Sequence, residues 1–149
     1  ITAKAGEKSA SCTVTVYGDC LYYTSSDRQI VAPANAEAFG AEIFTNLYEN
    51  GKGRGVFKNA VKTIGNDAFK DCANLQSIEI PAGITGIGES AFYGTGLTSI
   101  AFPSTLESIG KGAFVSCKNL QSVELPAVTM GTGVFKYCDA LTSVTLASG

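Results

Sequence analysis

Apolar residues recur in the second half of the chain as a unit of 21–23 residues. In its regular form the unit carries an Ile-Gly pair, an Ala-Phe pair three residues after the glycine, and a Leu-x-x-Ile-x-Ile segment closed by proline. That last segment alternates apolar and polar positions, as a β-strand with one buried face does. The phenylalanines of the four units are Phe69, Phe92, Phe114 and Phe135, spaced by 23, 22 and 21 residues.

Each unit is small, and about six apolar side chains cannot form a core alone, so we expect successive units to stack on one another. Every unit runs the same way round, so the strands of stacked units pair in parallel about 4.8 Å apart. We expect a β-rich (α/β-type) solenoid with a parallel ladder of about four repeats over residues 61–149. The phenylalanines should form an aromatic spine along it.

The segments between strands carry their own signals. The glycines of the Ile-Gly pairs predict tight corners, where a side chain would clash or φ is positive, and the prolines predict strand ends. Between phenylalanine and leucine we expect a short helical or turn-like return, irregular at residues 93–96, where the second repeat is one residue shorter. The glycines are Gly65, Gly88, Gly110 and Gly131, and the prolines are Pro81, Pro103 and Pro126.

Cys72, Cys117 and Cys138 share one repeat position, three residues after the phenylalanine. They could form a metal or redox cluster, or they could be buried thiols that fill space as small apolar groups. The chain has no CxxC motif and no histidine, which favours buried thiols. We predict no disulfide between Cys117 and Cys138, although they lie in adjacent repeats.

The first eighteen residues differ from the repeats. Residues 11–17 alternate strictly, and we expect them to form a hairpin with residues 1–4 around a turn at residues 6–9. Cys12 and Cys20 are eight residues apart, about 26 Å along an extended strand, so we leave both unpaired.

Residues 19–60 predict a hairpin cap that covers the first repeat. One hairpin would pair residues 21–24 with 29–32, and the other would pair residues 43–48 with 56–57 around a turn with an Asn-Gly signal. Between them, residues 36–39 (Ala-Glu-Ala-Phe) predict either a short helical turn or a degenerate Ala-Phe unit.

Composition narrows the classes of function. The chain has 149 residues, a formal net charge of −2 and no histidine. The charge argues against nucleic-acid binding, and the absence of histidine removes the commonest general base and metal ligand, so we expect no cofactor and no metal. No run of about 18–20 apolar residues is present, so we expect no direct membrane insertion. The start, Ile-Thr-Ala-Lys, has no initiator Met and indicates a chain cut from a longer one.

The unit Ile-Gly-x-x-Ala-Phe-x-x-Cys-x-x-Leu-x-x-Ile-x-Ile-Pro closely resembles the BspA-type leucine-rich repeats of bacterial surface proteins. Residues 21–27 and 50–53 are similar to the segment that precedes such repeats, and residues 1–18 resemble the last two strands of a bacterial immunoglobulin-like domain. The fourth repeat departs from the pattern, with Met130 for Ile and Val134 for Ala. The resemblance implies a leucine-rich-repeat solenoid, extracellular display at the cell surface and adhesion to host proteins or other cells. It implies no catalytic residues.

The resemblance also implies that the exposed strand positions form the binding face. They would offer hydrogen bonds and mild negative charge to a protein or glycan of a host or bacterial surface. The alternative is a solvated face on a spacer or scaffold that binds nothing. These positions are Ser77 and Glu79, Ser99 and Ala101, Ser122 and Glu124, and Ser143 and Thr145.

A third alternative is a glycan-acting enzyme. Glu79 and Glu124 would lie two rungs apart, about 9–10 Å, near the carboxylate spacing of about 6.5–9.5 Å in inverting glycosidases. Ala101 lies between them on an open surface, where nothing would desolvate either carboxyl. We therefore predict that the chain is not an enzyme.

Two further features bear on partners. The Lys-Gly-Arg-Gly run at residues 52–55 lacks the spacing of a phosphate-binding loop, so we interpret it as a basic hairpin turn open to anionic glycans. The last repeat carries no cap signal, so either the native chain continues or its edge strand pairs with another molecule.

Overall fold

The computed structural model describes residues 2–5, 8–11 and 20–147. A 3₁₀ helix spans Ala36–Phe39, and all other regular elements are strands. The strands are β1 (Thr2–Ala5), β2 (Lys8–Ser11), β3 (Cys20–Ser25), β4 (Ile43–Glu49), β5 (Lys52–Phe57), β6 (Thr63–Ile64), β7 (Leu75–Glu79), β8 (Gly86–Ile87), β9 (Ser99–Ala101), β10 (Ser108–Ile109), β11 (Ser122–Leu125), β12 (Thr129–Met130) and β13 (Ser143–Leu146).

The repeats form a solenoid with two parallel ladders, which confirms the predicted fold class. The longer ladder consists of β7, β9, β11 and β13, the strands expected from the alternating segments. The shorter ladder consists of β6, β8, β10 and β12, which are two-residue strands at the Ile-Gly corners. The sequence analysis did not predict this second ladder, because two residues are too few to show an alternating pattern.

The aromatic spine is confirmed. The ring centroids of Phe69 and Phe92 are 5.4 Å apart, those of Phe92 and Phe114 are 5.0 Å apart, and those of Phe114 and Phe135 are 5.5 Å apart. The interplanar angles of these pairs are 12°, 7° and 19°, so the rings stack face to face with an offset. Phe92 and Phe114 are fully buried, and the spine therefore forms the centre of the core.

The corner glycines are required by close backbone contact and not by a positive φ. A Cβ added to Gly88 would lie 2.6 Å from the backbone nitrogen of Asn66 in the preceding repeat. One added to Gly110 would lie 2.6 Å from the backbone nitrogen of Glu89. Successive turns approach so closely at these corners that no side chain fits, as the clash alternative predicted.

The return between phenylalanine and leucine is a turn and not a helix. In every repeat the residues two before and two after the phenylalanine adopt a left-handed backbone, with φ between 53° and 68°. In the first three repeats their N–H groups donate to carbonyls of the next repeat, as Ser116 N does to Lys136 O at 2.9 Å. These residues are Asp67, Ser90, Gly112 and Gly133 before the phenylalanine, and Asp71, Gly94, Ser116 and Tyr137 after it.

The shortened second repeat narrows the ladder, in line with the irregularity expected there: β9 has three residues and pairs with β7 at a single position. Thr95 occupies the cysteine position, and its hydroxyl donates to the Phe92 carbonyl at 3.0 Å and lies 3.2 Å from Cys117 Sγ. The chain is then drawn inward at Gly96, where an added Cβ would lie 2.2 Å from the Ala73 carbonyl oxygen. The missing residue is therefore absorbed after Thr95, without breaking the stack.

The repeat cysteines are free thiols that donate hydrogen bonds to backbone carbonyls. Cys117 Sγ donates to Phe92 O at 3.1 Å, and Cys138 Sγ donates to Phe114 O at 3.0 Å. Burial raises the pKa of Cys117 to about 11, and it also raises the pKa of Cys72 and Cys138. Within residues 20–147, no three His, Cys, Asp or Glu side chains are grouped to hold a metal ion. The thiols thus act as core groups.

The cap differs from the prediction at residues 29–32, which form no strand. The edges of β3 are already occupied, because it pairs antiparallel with β7 on one side and with β5 on the other. Residues 29–32 therefore run past it as irregular chain, and the Val31 N–H donates to the Tyr23 hydroxyl at 3.2 Å. The strand predicted at residues 21–24 is confirmed.

The hairpin of β4 and β5 is confirmed, with a tighter turn than expected. Its loop is the two residues Asn50 and Gly51, with φ of 51° and 81°. Two positive φ angles are characteristic of the type I′ turn that Asn-Gly favours. Residues 52–55, interpreted from the sequence as part of the turn, instead belong to β5 because the two-residue turn brings them into register.

The 3₁₀ helix Ala36–Phe39 brings an aromatic ring to the end of the spine. Asn35 caps the helix by accepting a hydrogen bond from Glu37 N, and Gly40 ends it with φ of 60°. The Phe39 ring centroid lies 5.7 Å from that of Phe69 and 4.9 Å from that of Phe57. The helical-turn alternative is therefore correct, and Phe39 covers the first repeat.

The N-terminal hairpin is closed differently from the prediction. β1 pairs with β2, and Ala5 lies opposite Lys8, so only residues 6 and 7 connect the strands. Lys8 and residue 9 were expected in the turn, but a two-residue connection is the commonest in hairpins. Of the strand predicted at residues 11–17, Ser11 belongs to β2, and residues 12–17, Cys12 among them, lie outside the described residues. The immunoglobulin-like assignment stays a prediction.

Replacing Ser116 by glycine should stabilise the protein. Its left-handed backbone costs about 1–2 kcal/mol for an L-residue, and glycine removes that cost while adding about 0.5–1 kcal/mol of flexibility to the unfolded chain. We expect the free energy of unfolding to rise by about 0.5–1 kcal/mol in a denaturant titration. Ser99→Gly, in extended strand β9, is the matched control and should lower it instead.

The burial of Cys117 should make it unreactive. With a pKa of about 11 against the usual 9.0, its thiolate fraction at pH 8 is about one hundredth of that of a free thiol. Iodoacetamide labelling of the native protein, followed by peptide mass spectrometry, should modify Cys117 last among Cys20, Cys72, Cys117 and Cys138. Labelling in denaturant should be even. Rapid labelling of native Cys117 would contradict its place in the core.

Candidate functional site

The outer face of the long ladder continues into the cap. Because β3, β5 and β4 add to β7, the strand order is β13–β11–β9–β7–β3–β5–β4. Seven strands at about 4.8 Å give a face about 29 Å wide, whereas the four strands of the repeats alone span less than about 20 Å. The candidate site therefore includes cap residues as well as repeats.

The predicted site residues form two rows across this face. Ser99, Ser122 and Ser143 lie opposite one another on neighbouring strands, and so do Ala101, Glu124 and Thr145. Ser77 is half-buried and the other seven are exposed. We call the first set, with Ser77, the serine row, and the second set, with Glu79, the glutamate row.

In the first repeat, the residues of both rows contact side chains of the cap. Ser77 Oγ lies 2.7 Å from Thr24 Oγ1, within hydrogen-bond distance. Glu79 Oε1 accepts from Lys52 Nζ at 2.8 Å, and both side chains are about 60% exposed, at 62% and 59%. An ion pair this exposed contributes little to stability, but it holds Glu79 towards the cap. In the last repeat, by contrast, Thr145 Oγ1 donates to a backbone carbonyl of the preceding repeat at 3.5 Å.

Cap residues extend the glutamate row, and the sequence analysis did not include them. Glu79 lies opposite Tyr22 on β3, Tyr22 lies opposite Arg54 on β5, and Arg54 lies opposite Leu47 on β4. Arg54 is exposed, and Leu47 is 47% exposed although it is apolar. The alternation of charged residues with glycine at residues 52–55 was a usable strand signal, which the interpretation of this segment as a turn hid.

Shallow pockets on the described part of this face include one among the repeats and one in the cap. One, of about 320 Å³, lies among repeat residues that include Ala101, Glu124 and Pro126. The other, of about 310 Å³, lies at the cap end of the glutamate row. The cap pocket is lined by Tyr22, Leu47, Glu49, Asn50, Lys52 and Arg54.

The two glutamates do not form a sheltered catalytic pair. The register places Ala101 between Glu79 and Glu124, two rungs apart as expected. Glu79 is paired with Lys52, and both carboxylates are exposed. A glycosidase general acid needs a desolvated carboxyl, which this open face does not provide.

Within the part of the chain that the structure describes, no helix has the length and hydrophobicity of a membrane span.

Comparisons with known proteins agree with this architecture. The family model for the BspA type leucine rich repeat region matches residues 54–149 in six copies. A leucine-rich repeat protein from Bacteroides ovatus is 28% identical, with a TM-score of 0.56, over 59% of this chain and 24% of that one. A leucine-rich repeat protein from Bacteroides capillosus is 25% identical, with a TM-score of 0.55, over 72% of this chain and 76% of that one. No curated protein matches the chain.

The share of each chain that these matches cover determines what can be concluded from them. The chain spans about a quarter of the Bacteroides ovatus protein, so the likeness covers repeats and not that whole protein. The family match covers roughly two thirds of this chain and starts within β5, in the cap. The repeat pattern, the two-ladder solenoid and the family match thus agree that this chain belongs to the BspA-type leucine-rich repeat proteins.

Proposed function

We propose that this chain is a recognition module of a longer bacterial surface protein, and that it binds a protein or glycan through the outer face of the seven-stranded sheet. The supporting observation is the exposed serine and glutamate rows, held in register on a rigid ladder. Leucine-rich repeats commonly serve as interaction modules, and the family is typically exported or displayed at the surface. Adhesion to host or bacterial surfaces is the activity this proposal specifies.

The size of the face bears on affinity. The face measures about 29 Å by about 16 Å, so its area is smaller than the ~800 Å² that each partner buries in a standard interface. Binding by this chain alone should therefore be weak, and repeated copies on a surface would strengthen it through avidity.

The test is a change of charge at the centre of the repeat face. The double variant Ser122→Arg/Glu124→Arg places two cations on β11 without touching the core, since both side chains are exposed. We expect immobilised wild-type protein to bind at least one component of a panel of extracellular-matrix proteins and glycans, and the variant to lose at least tenfold in affinity. Surface plasmon resonance measures both.

A matched control carries the same substitutions on the shorter ladder. Ser108→Arg/Glu107→Arg alters exposed residues at β10, away from the outer face, and should leave binding unchanged. Circular dichroism confirms that all three proteins are folded. Equal losses in both double variants would show a nonspecific charge effect and contradict the proposed site.

The alternative function is a spacer that binds nothing. Serine and alanine dominate the repeat part of the face, and such small side chains also suit a plain solvated ladder. No binding across the panel by folded protein, together with binding by longer forms of the surface protein, would favour the spacer.

We also propose that the last repeat pairs edge to edge with a strand of another molecule. It exposes Met130, Tyr137, Val144 and Leu146 by 48%, 60%, 51% and 77%. We expect sedimentation velocity to show concentration-dependent association that Leu146→Lys abolishes, because charged residues on an edge strand oppose pairing. A monomer at every concentration would contradict this proposal.

A further inference from the structure

We propose that the cap pocket beside β3, β4 and β5 binds a carboxylate-bearing sugar residue, such as a uronic or sialic acid unit of a glycan. This inference rests on the proposed function and specifies a ligand class and a second location for it. Its residues lie on the cap, outside the eight positions predicted from the repeats.

The carboxylate would bind Arg54, whose guanidinium makes no hydrogen bond or ion pair with the described residues. Lys52, which also lines the pocket, pairs with Glu79, and Lys58 pairs with Glu42. A free guanidinium presents two parallel N–H donors that match a carboxylate, and the bond is charge-assisted. Arg54 therefore supplies the cation that an acidic ligand needs.

Apolar side chains flank Arg54 on both sides. Tyr22 lies opposite it on β3 and Leu47 lies opposite it on β4. An aromatic ring beside a charged group suits the C–H face of a sugar ring, while the charge orients the polar substituents. Lys52 Nζ lies 5.5 Å from the Tyr22 ring centroid, so a cation–π contact helps to hold that ring in place.

The acidic residue in the pocket distinguishes a sugar from a simple anion. Glu49 lines the pocket and has no ion pair within the part of the chain that the structure describes. A carboxylate accepts hydrogen bonds only, so Glu49 is matched by ligand hydroxyls and repels a ligand carboxylate. An acidic peptide side chain could bind Arg54 but would offer no hydroxyls to Glu49, whereas a sugar acid places hydroxyls at Glu49 and its carboxylate at Arg54.

The pocket size agrees with one sugar unit. Its volume of about 310 Å³ lies at the lower end of the range of small-molecule sites, roughly 300–1,000 Å³. A single sugar acid has about 14 non-hydrogen atoms, and at ordinary ligand efficiency it would bind with a dissociation constant on the order of 1 mM. Further units of a glycan could continue along the glutamate row.

The test compares methyl glucuronide with methyl glucoside, which differ at the carboxylate. We expect saturable shifts of backbone amide signals in β3 and β5 by NMR, with the glucuronide bound about tenfold more tightly than the glucoside. Arg54→Gln should reduce glucuronide affinity to that of the glucoside and leave the glucoside unchanged. Lys58→Gln, another exposed cation that is paired elsewhere, is the control and should change neither affinity.

The Glu49→Gln variant tests whether Glu49 accepts hydrogen bonds from sugar hydroxyls or only repels the ligand carboxylate. If Glu49 accepts sugar hydroxyls, the variant binds both sugars several-fold more weakly; tighter glucuronide binding would overturn the assignment of Glu49. N-acetylglutamate, an acid without sugar hydroxyls, should bind at least tenfold more weakly than the glucuronide. No binding, or binding unaffected by Arg54→Gln, would overturn the site, while the Ser122→Arg/Glu124→Arg result on β11 would still decide the proposed function.

Discussion

The structure depends on backbone hydrogen bonds that run from each turn of the solenoid to the next around its circumference. They occur at the corner, where Gly88 N donates to Ile64 O at 2.7 Å, and in the return, where Phe69 N donates to Ala91 O at 2.7 Å. A buried amide without such a partner is costly, so every turn must follow its neighbour at nearly constant spacing. That requirement explains why the corners admit only glycine and why the returns adopt left-handed backbone even at Ser116 or Tyr137.

Constant spacing also determines what the side chains can do. Equivalent residues lie directly above one another, so the phenylalanines stack, and Cys117 and Cys138 each reach a carbonyl one turn away. On the outer face the same geometry separates equivalent positions by one strand spacing, about 4.8 Å. Exposed side chains there can change without disturbing the ladder, because its hydrogen bonds are made by the backbone. A face of this kind suits recognition, since its chemistry is independent of its fold.

The sequence predicted well what repetition determines. The long ladder, the spine and the crowded corners follow from period and residue type, because each is repeated four times. It failed where contacts are made once between distant segments: residues 29–32 form no strand because β5 and β7 already occupy the two edges of β3. Left-handed residues such as Asp67 carry no clear signal, because the same residue types also occur in ordinary turns. The sequence analysis missed the cap half of the candidate site because β3, β5 and β4 join the ladder only through pairing between segments that are distant in the sequence.

The chemistry of the outer face is therefore richest where the repetition ends. Within the repeats, the parallel ladder favours small, similar residues, and the serine row offers much the same surface at every rung. In the cap the strands run antiparallel and each is used once, so Tyr22, Arg54 and Leu47 can differ completely while lying side by side. The ion pair of Lys52 and Glu79 joins the two parts. A solenoid assembled from similar repeats thus obtains a distinctive site from its cap, because only in the cap can residues on neighbouring strands differ in chemistry.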